Sequence, residues 1–90
     1  MGQYRIVYTP CAKQQAKKIK HSVLFEKVVF LLDIIQNNPF QNPPPFENLK
    51  GELSGAISRR INKKHRFVYQ VYEKEKTVKI ISMWTHYEIK

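Results

Sequence analysis

With 90 residues, the chain has room for one domain built around a single hydrophobic core. Its composition, 42% hydrophobic and 26% charged, is typical of a globular protein and excludes a disordered or fibrous one. No apolar run approaches a membrane span, the first residues lack a secretory signal pattern, and Cys11 has no second cysteine to pair with, so we expect a cytoplasmic protein without membrane contact. The formal net charge of +9 favours a polyanionic partner such as RNA or the ribosome.

The first half of the chain predicts one strand followed by two helices. Aromatic and β-branched residues over Tyr4–Tyr8 are typical of a short strand. Helix formers predict a helix over Cys11–Lys20, with Thr9 as its N-cap and Pro10 at the first helical position. Apolar residues at helical spacing predict a second helix over Ser22–Asn37, whose wide apolar surface can form the main core layer and also meet another chain.

The second half predicts a connection and then three strands. Asn38–Pro45 is rich in proline and asparagine, which indicates an exposed, stiff loop that carries Glu47 to a fixed place beside the sheet. Strand-forming runs follow at Ala56–Asn62, Arg66–Tyr72 and Thr77–Tyr87, and their short connections favour antiparallel neighbours. The resulting order, β-α-α-β-β-β, predicts an α+β fold in which two N-terminal helices pack on one face of a four-stranded, mainly antiparallel sheet.

Residues able to transfer protons or bind phosphate concentrate in the second half. They are Glu47, Lys50, Arg59, Arg60, His65, Arg66, His86 and Tyr87. RNA cleavage without a metal needs these types: a carboxylate or imidazole to remove the 2′-hydroxyl proton, guanidinium groups to stabilise the phosphorane, and a second proton donor for the 5′-oxygen. The spacing of His and Cys does not suggest zinc ligands, and Asp33 lies in the apolar helix, so we predict neither a metal or cofactor site nor a serine–histidine–aspartate triad.

The two-residue period of a strand sorts the arginines between the faces of the sheet. If Ile57 and its neighbours cover the helices, Arg60 and Arg66 project from the open face, whereas Arg59 points inward or toward an edge. This favours Arg60 for phosphate contact, with Arg59 as a further phosphate-binding candidate because of the basic excess. The alternation does not choose between His86 and Tyr87 near the chain end.

The segment PFENLKGELSGAISRRINKKHRFVYQV, followed by a late HY pair, resembles the YoeB/Txe branch of the RelE-type toxins of bacterial toxin–antitoxin systems. The core of the resemblance is L-S-G-x-x-S-R-R-I-x-x-x-H-R-x-V-Y-x-V over Leu53–Val71, preceded by E-x-L-K at Glu47–Lys50 and closed by His86–Tyr87. It implies a RelE-like, microbial-ribonuclease-like fold and a ribosome-dependent endoribonuclease that cuts mRNA in the ribosomal A site. The implied partners are mRNA, the ribosome and an acidic YefM/Axe-like antitoxin, and we also expect a homodimer as one assembly state.

The resemblance also implies roles for individual residues. The positions that match the family's catalytic residues are Glu47, Arg66, His86 and Tyr87, and those that match its phosphate-binding residues are Lys50 and Arg60. The implied roles are general base for Glu47 and general acid for His86, with Tyr87 orienting or stacking on the nucleotide, although the assignment of base and acid stays open. The chain differs from the family pattern in continuing through Glu88–Lys90.

Two other classes of function fit the same residues. The first is a basic RNA- or ribosome-binding module that blocks translation by occupancy and leaves mRNA intact. The second is a structural subunit whose apolar helix serves only assembly, which would cause neither translational arrest nor RNA loss.

Overall fold

In the computed structural model, the described residues are 3–51 and 54–83, and they form two helices and a five-stranded sheet. The strands are β1 (Arg5–Tyr8), β2 (Glu47–Asn48), β3 (Ala56–Arg60), β4 (Arg66–Tyr72) and β5 (Thr77–Ser82), and the helices are α1 (Pro10–Ile19) and α2 (Phe25–Asn37). The strand order is β1-β5-β4-β3-β2, with β1 parallel to β5 and every other pair antiparallel. The predicted α+β class and the mainly antiparallel sheet are confirmed.

The start of α1 follows the sequence prediction closely. The Thr9 hydroxyl accepts a hydrogen bond from the Ala12 backbone N–H at 3.1 Å, which satisfies one of the free donors of the first turn. The same hydroxyl donates to the Ile81 carbonyl at 3.1 Å. Thr9 therefore caps α1 and at the same time ties its beginning to β5.

Helix α2 begins at Phe25, three residues later than predicted. Ser22 serves the turn between the helices instead: its hydroxyl donates to the Ile19 carbonyl and accepts from the Leu24 N–H. A serine side chain that bonds to nearby backbone competes with helix formation at its own position. Asn37 ends the helix as predicted.

The hydrophobic core lies between the helices and one face of the sheet. Its largest fully buried apolar side chains include Ile19, Leu31, Ile35, Phe67, Tyr69 and Ile80. On the opposite face, Ser58, Val68 and Ser82 are also buried, so that face is open around Arg60 rather than along its whole length. Within the described ranges, no helix is long and apolar enough to cross a membrane.

Four strands differ from the predictions, the smallest difference being that β1 begins at Arg5 rather than Tyr4. Glu47 and Asn48 form a short fifth strand, β2, where a plain loop was expected. Strand β3 ends at Arg60 rather than Asn62, because the Ile61 and Asn62 N–H groups both bond to the His65 carbonyl and close the turn into β4. Strand β5 ends at Ser82, and the part of the prediction beyond Met83 lies outside the described residues.

Candidate active site

The connector between α2 and β2, residues 38–46, is held in place by one buried guanidinium. Arg59 Nη1 donates to the Pro44 carbonyl at 2.6 Å, and Nη2 donates to the carbonyls of Pro39 at 3.2 Å and Gln41 at 2.8 Å. Arg59 Nε donates to the Tyr69 hydroxyl at 2.9 Å, and that hydroxyl donates to the Pro39 carbonyl at 2.7 Å. The connector forms neither helix nor strand, so these bonds to Arg59 and Tyr69 satisfy backbone carbonyls that a helix or a sheet would otherwise pair.

The position of Arg59 overturns its prediction as a phosphate-binding residue. Its side chain is 1% exposed, and its guanidinium lies over the Phe46 ring at 5.0 Å from the centroid. A guanidinium has five N–H donors, and the four bonds to the connector and Tyr69 leave no surface for phosphate. The inward alternative, which the strand period also offered, is the one that the structure shows.

The hydroxyl of Tyr69 shares this buried environment. Burial raises the pKa of Tyr69 above its ordinary value of 10.0, and the neighbouring Arg59 acts in the opposite direction by favouring the phenolate. The uncharged phenol therefore remains the form that bridges Arg59 to the connector at neutral pH.

The connector delivers Glu47 to the edge of the sheet. Glu47 and Asn48 pair antiparallel with Ser58 and Ile57 of β3, and the Leu49 N–H continues the pairing with a bond to the Ala56 carbonyl at 2.9 Å. This ladder fixes the backbone of Glu47, while its side chain remains 72% exposed. The prediction that the loop carries Glu47 to a fixed place beside the sheet is confirmed.

Two arginines lie beside Glu47 on the face opposite the core. Arg60 and Arg66 are direct partners across β3 and β4, and alternation along each strand sets them apart from the buried Ile57 and Phe67. Arg66 Nη1 lies 3.6 Å from Glu47 Oε1, in an ion pair. Like charges directly opposite each other are unfavourable across a strand pair, so an anion between the two guanidiniums would be favoured.

These side chains line an open pocket of about 340 Å³. Its lining consists of Pro45, Phe46, Glu47, Ser58, Arg60 and Arg66. The pocket thus places a carboxylate that can accept a proton next to two guanidiniums that can bind an anion, with an aromatic ring at its wall. In chemical terms it suits a ligand that carries both phosphate and hydroxyl groups.

The remaining predicted site residues are Lys50, His86 and Tyr87. Lys50 is exposed, two residues after β2, and does not line the pocket. His86 and Tyr87 lie outside the described residues. Within the described ranges, no group of three or more His, Cys, Asp and Glu residues is placed to hold a metal ion.

Three lining residues, Pro45, Phe46 and Ser58, were not predicted as site residues from the sequence. Phe46 immediately precedes Glu47, and Ser58 lies two residues before Arg60 on the same strand. The strand period could have identified Ser58, because residues at i and i+2 point to one face. No local pattern could have identified Phe46, because its place depends on how Arg59 holds the connector.

Comparison with known proteins shows the same fold and sequence pattern. A family model described as YoeB-like toxin of bacterial type II toxin–antitoxin system matches residues 8–87. Toxin YoeB of Synechocystis is 38% identical over 65 residues, which are 72% of this chain and 73% of the relative.

Two solved structures from Staphylococcus aureus are similar over nearly their whole length. The YoeB dimer is 33% identical, with a TM-score of 0.80 over 94% of this chain and 99% of that one. The toxin in a heterotetrameric YoeB–YefM complex is 33% identical, with a TM-score of 0.78 over 93% of this chain and 98% of that one. Because the family match covers most of the chain, this protein belongs to the YoeB-like toxins of bacterial type II toxin–antitoxin systems.

Proposed function

We propose that this toxin is a ribosome-dependent endoribonuclease that cuts mRNA in the ribosomal A site and thereby inhibits translation in the cytoplasm. The observation that carries the proposal is the Glu47–Arg66 ion pair, 3.6 Å long, in an open pocket that Arg60 also lines. A proton acceptor and two anion-binding groups at one place are what cleavage of a phosphodiester by its own 2′-hydroxyl requires.

The proposed reaction begins at the ribose next to the scissile phosphate. Glu47 removes the 2′-hydroxyl proton, and the 2′-oxygen attacks phosphorus as the bond to the 5′-oxygen breaks. Arg60 and Arg66 stabilise the additional negative charge on the phosphoryl oxygens. The leaving 5′-oxygen receives a proton, and the products are a 2′,3′-cyclic phosphate and a free 5′-hydroxyl.

The proton donor is assigned from the family pattern. His86 is proposed as the general acid that protonates the 5′-oxygen, and Tyr87 as a residue that orients or stacks on the nucleotide. Lys50, exposed beside β2, is proposed to contact a neighbouring phosphate. If Glu47 and His86 exchange the roles of base and acid, the requirement for both residues is unchanged.

The ribosome is proposed to provide the binding energy for mRNA that the toxin alone does not provide. The pocket is open and small, so contacts to one or two nucleotides provide little binding energy for free mRNA. A net charge of +9 favours the phosphates of ribosomal RNA, and the resulting association is expected to weaken with increasing salt. Positioning of the mRNA on the ribosome then adds the orientation that the pocket does not provide.

The proposed protein partners follow from the family and from two surfaces. An acidic antitoxin resembling YefM is proposed to cover the face of the sheet that carries Arg60 and Arg66, because the S. aureus relative forms a complex with YefM. A homodimer is proposed as a second assembly, because the S. aureus relative also forms a dimer and α2 exposes Phe25, Val29 and Phe30 in this chain.

Mapping of mRNA ends tests the enzymatic proposal. After brief induction, primer extension should find discrete new 5′ ends of downstream mRNA fragments within codons, and purified toxin should produce the same ends on ribosomes programmed with a defined mRNA. Glu47→Ala, Arg66→Ala and His86→Ala should each reduce the cleavage.

Intact mRNA together with arrested translation would contradict cleavage and favour a module that acts by occupancy. Full cleavage activity in all three variants would contradict the assigned mechanism while leaving the nuclease class in place. The first outcome tests whether mRNA is cleaved, and the second tests whether the assigned residues perform the cleavage.

A further inference from the structure

The hydroxyl of Ser58 is a buried polar group without a hydrogen-bond partner among the described residues. Ser58 is 3% exposed, and its Oγ finds neither donor nor acceptor there. Most buried hydroxyls in proteins are hydrogen-bonded, so an exception needs an explanation. The explanation here is local, because Ser58 lines the pocket that contains Glu47, Arg60 and Arg66.

Sheet register places Ser58 at the centre of the site. On β3, it lies directly opposite Glu47 of β2 on one side and Val68 of β4 on the other. Arg60 follows two residues later on the same face, and Arg66 is the direct partner of Arg60. Ser58 is thus the direct cross-strand partner of Glu47, and the pair Arg60–Arg66 lies two residues along the same face.

The chemistry of these neighbours indicates what the hydroxyl lacks. Both guanidiniums carry only donors, and a serine hydroxyl has one donor and two acceptor positions. A single anionic ligand with several oxygens would accept from Arg60, Arg66 and Ser58 together. A phosphodiester with its two non-bridging oxygens is such a ligand, and hydrogen bonds to charged oxygen are stronger than neutral ones.

We propose that Ser58 is a substrate-binding residue whose hydroxyl donates a hydrogen bond to a non-bridging oxygen of the phosphodiester held by Arg60 and Arg66. This inference rests on the proposed endoribonuclease function and adds a residue to its site. The hydroxyl is uncharged and rigidly placed on β3, so it orients the phosphate between the guanidiniums instead of adding charge.

Ser58→Ala tests the inference, with Ser82→Ala as the matched control. Ser82 is also a buried serine on the same face of the sheet, in the same cross-strand row, but does not line the pocket. Single-turnover cleavage by Ser58→Ala on programmed ribosomes should be slower by about 10- to 100-fold, the loss expected for one hydrogen bond to a charged group. Ser82→Ala should cleave at the rate of the unsubstituted toxin.

Two further measurements distinguish binding from structure. Replacing one non-bridging oxygen of the scissile phosphate by sulfur should slow the unsubstituted toxin for one of the two diastereomers, and Ser58→Ala should lose most of that discrimination. The urea midpoint of Ser58→Ala should not fall, because the alanine removes a hydroxyl that makes no hydrogen bond to the residues that the structure describes. In NMR titrations, inorganic phosphate should bind Ser58→Ala more weakly than it binds the unsubstituted toxin.

The outcomes separate this inference from the proposed function. If the unsubstituted toxin cleaves mRNA and Ser58→Ala cleaves equally fast with the same sulfur discrimination, the inference is wrong and the nuclease proposal stands. A lowered urea midpoint in Ser58→Ala would show an internal structural role and also overturn it. If the unsubstituted toxin cuts nothing, the nuclease proposal fails, and equal phosphate affinity in the two proteins would then overturn the role of Ser58 as well.

Discussion

Arg59 and Arg60 are adjacent in the sequence, but they lie on opposite faces of the sheet in entirely different surroundings. Arg59 is 1% exposed and bonds to the Tyr69 hydroxyl and three carbonyls of the connector, whereas Arg60 is exposed and lines the pocket beside Glu47. One guanidinium holds the backbone that carries the carboxylate, and the other is available to an anion. The contrast shows that a pair of basic residues in a motif can divide between support and substrate contact.

The largest effect on cleavage is expected for Arg66, on the open face of the sheet that carries the pocket. Arg66→Ala should slow mRNA cleavage on programmed ribosomes by about 100- to 1,000-fold, because the proposed transition state loses a guanidinium. Its urea unfolding should change little, since the ion pair with Glu47 is partly exposed and such pairs contribute about 0 to 1 kcal/mol. Arg5→Ala removes the same charge from the opposite edge strand and serves as the control. Equal slowing in both variants would indicate a loss of general charge rather than a site effect.

On the core face, substitution of Arg59 is expected to reduce stability instead. Arg59→Met should lower the free energy of unfolding by about 3 kcal/mol, because several buried oxygens of the connector and Tyr69 lose their charged donor. Urea denaturation measures this change. Any loss of cleavage should accompany release of the connector, and a variant as stable as the unsubstituted toxin would contradict the supporting role.

The same substitution at the neighbouring position sharpens the comparison. Arg60→Met should reduce single-turnover cleavage by about 10- to 100-fold, since one hydrogen-bonding contact with the charged phosphate is lost. Its free energy of unfolding should stay within about 0.5 kcal/mol, as is usual for exposed positions. If Arg60→Met were the less stable of the two methionine variants, the assignment of the two faces would be reversed.

A smaller effect is expected at high pH, through Tyr69. Because burial raises the pKa of Tyr69 in the folded protein, its contribution to stability is fully present below the unfolded value of 10.0 and is lost as the pH rises through the folded value. Tyr69→Phe should therefore unfold with a weaker dependence on pH above about pH 10. At neutral pH it should be less stable by about 1 to 2 kcal/mol, because two buried hydrogen bonds are removed.

Urea unfolding between neutral and alkaline pH checks this prediction. Tyr72→Phe is the control, since Tyr72 lies on the opposite face of β4 and its hydroxyl donates only a long bond of 3.4 Å to Gln70 Oε1 among the described residues. The same alkaline loss in Tyr69→Phe and in the unsubstituted toxin would contradict the coupling between Tyr69 and the fold.

Local sequence patterns were sufficient to predict both helices, most of the strands and the two arginines of the site. Thr9 caps α1 because a hydroxyl before a proline-initiated helix satisfies the first free N–H groups wherever the helix packs. Arg60 and Arg66 share the open face because strand alternation depends on the backbone alone. The family pattern carried the prediction further, to Glu47, which the structure places beside Arg66.

Other features depend on residues that are distant in sequence. The short strand β2 exists because Glu47 and Asn48 meet the edge of β3, although two residues have no strand signal of their own. The parallel pairing of β1 with β5 joins the two ends of the described chain, and no local pattern encodes it. Ser58 lies directly opposite Glu47, and this pairing of β2 with β3 is not encoded in the sequence around Ser58.

By itself, then, the sequence determined the order of elements, the open-face position of two arginines and the family, because periodicity and motif are properties of short segments. Only the tertiary structure decided that Arg59 supports the connector, that Glu47 joins the sheet and that the Ser58 hydroxyl has no hydrogen-bond partner within residues 3–51 and 54–83. The physical reason is that burial and hydrogen-bond partners are set by residues 10 or more positions away, which meet only after the sheet has formed.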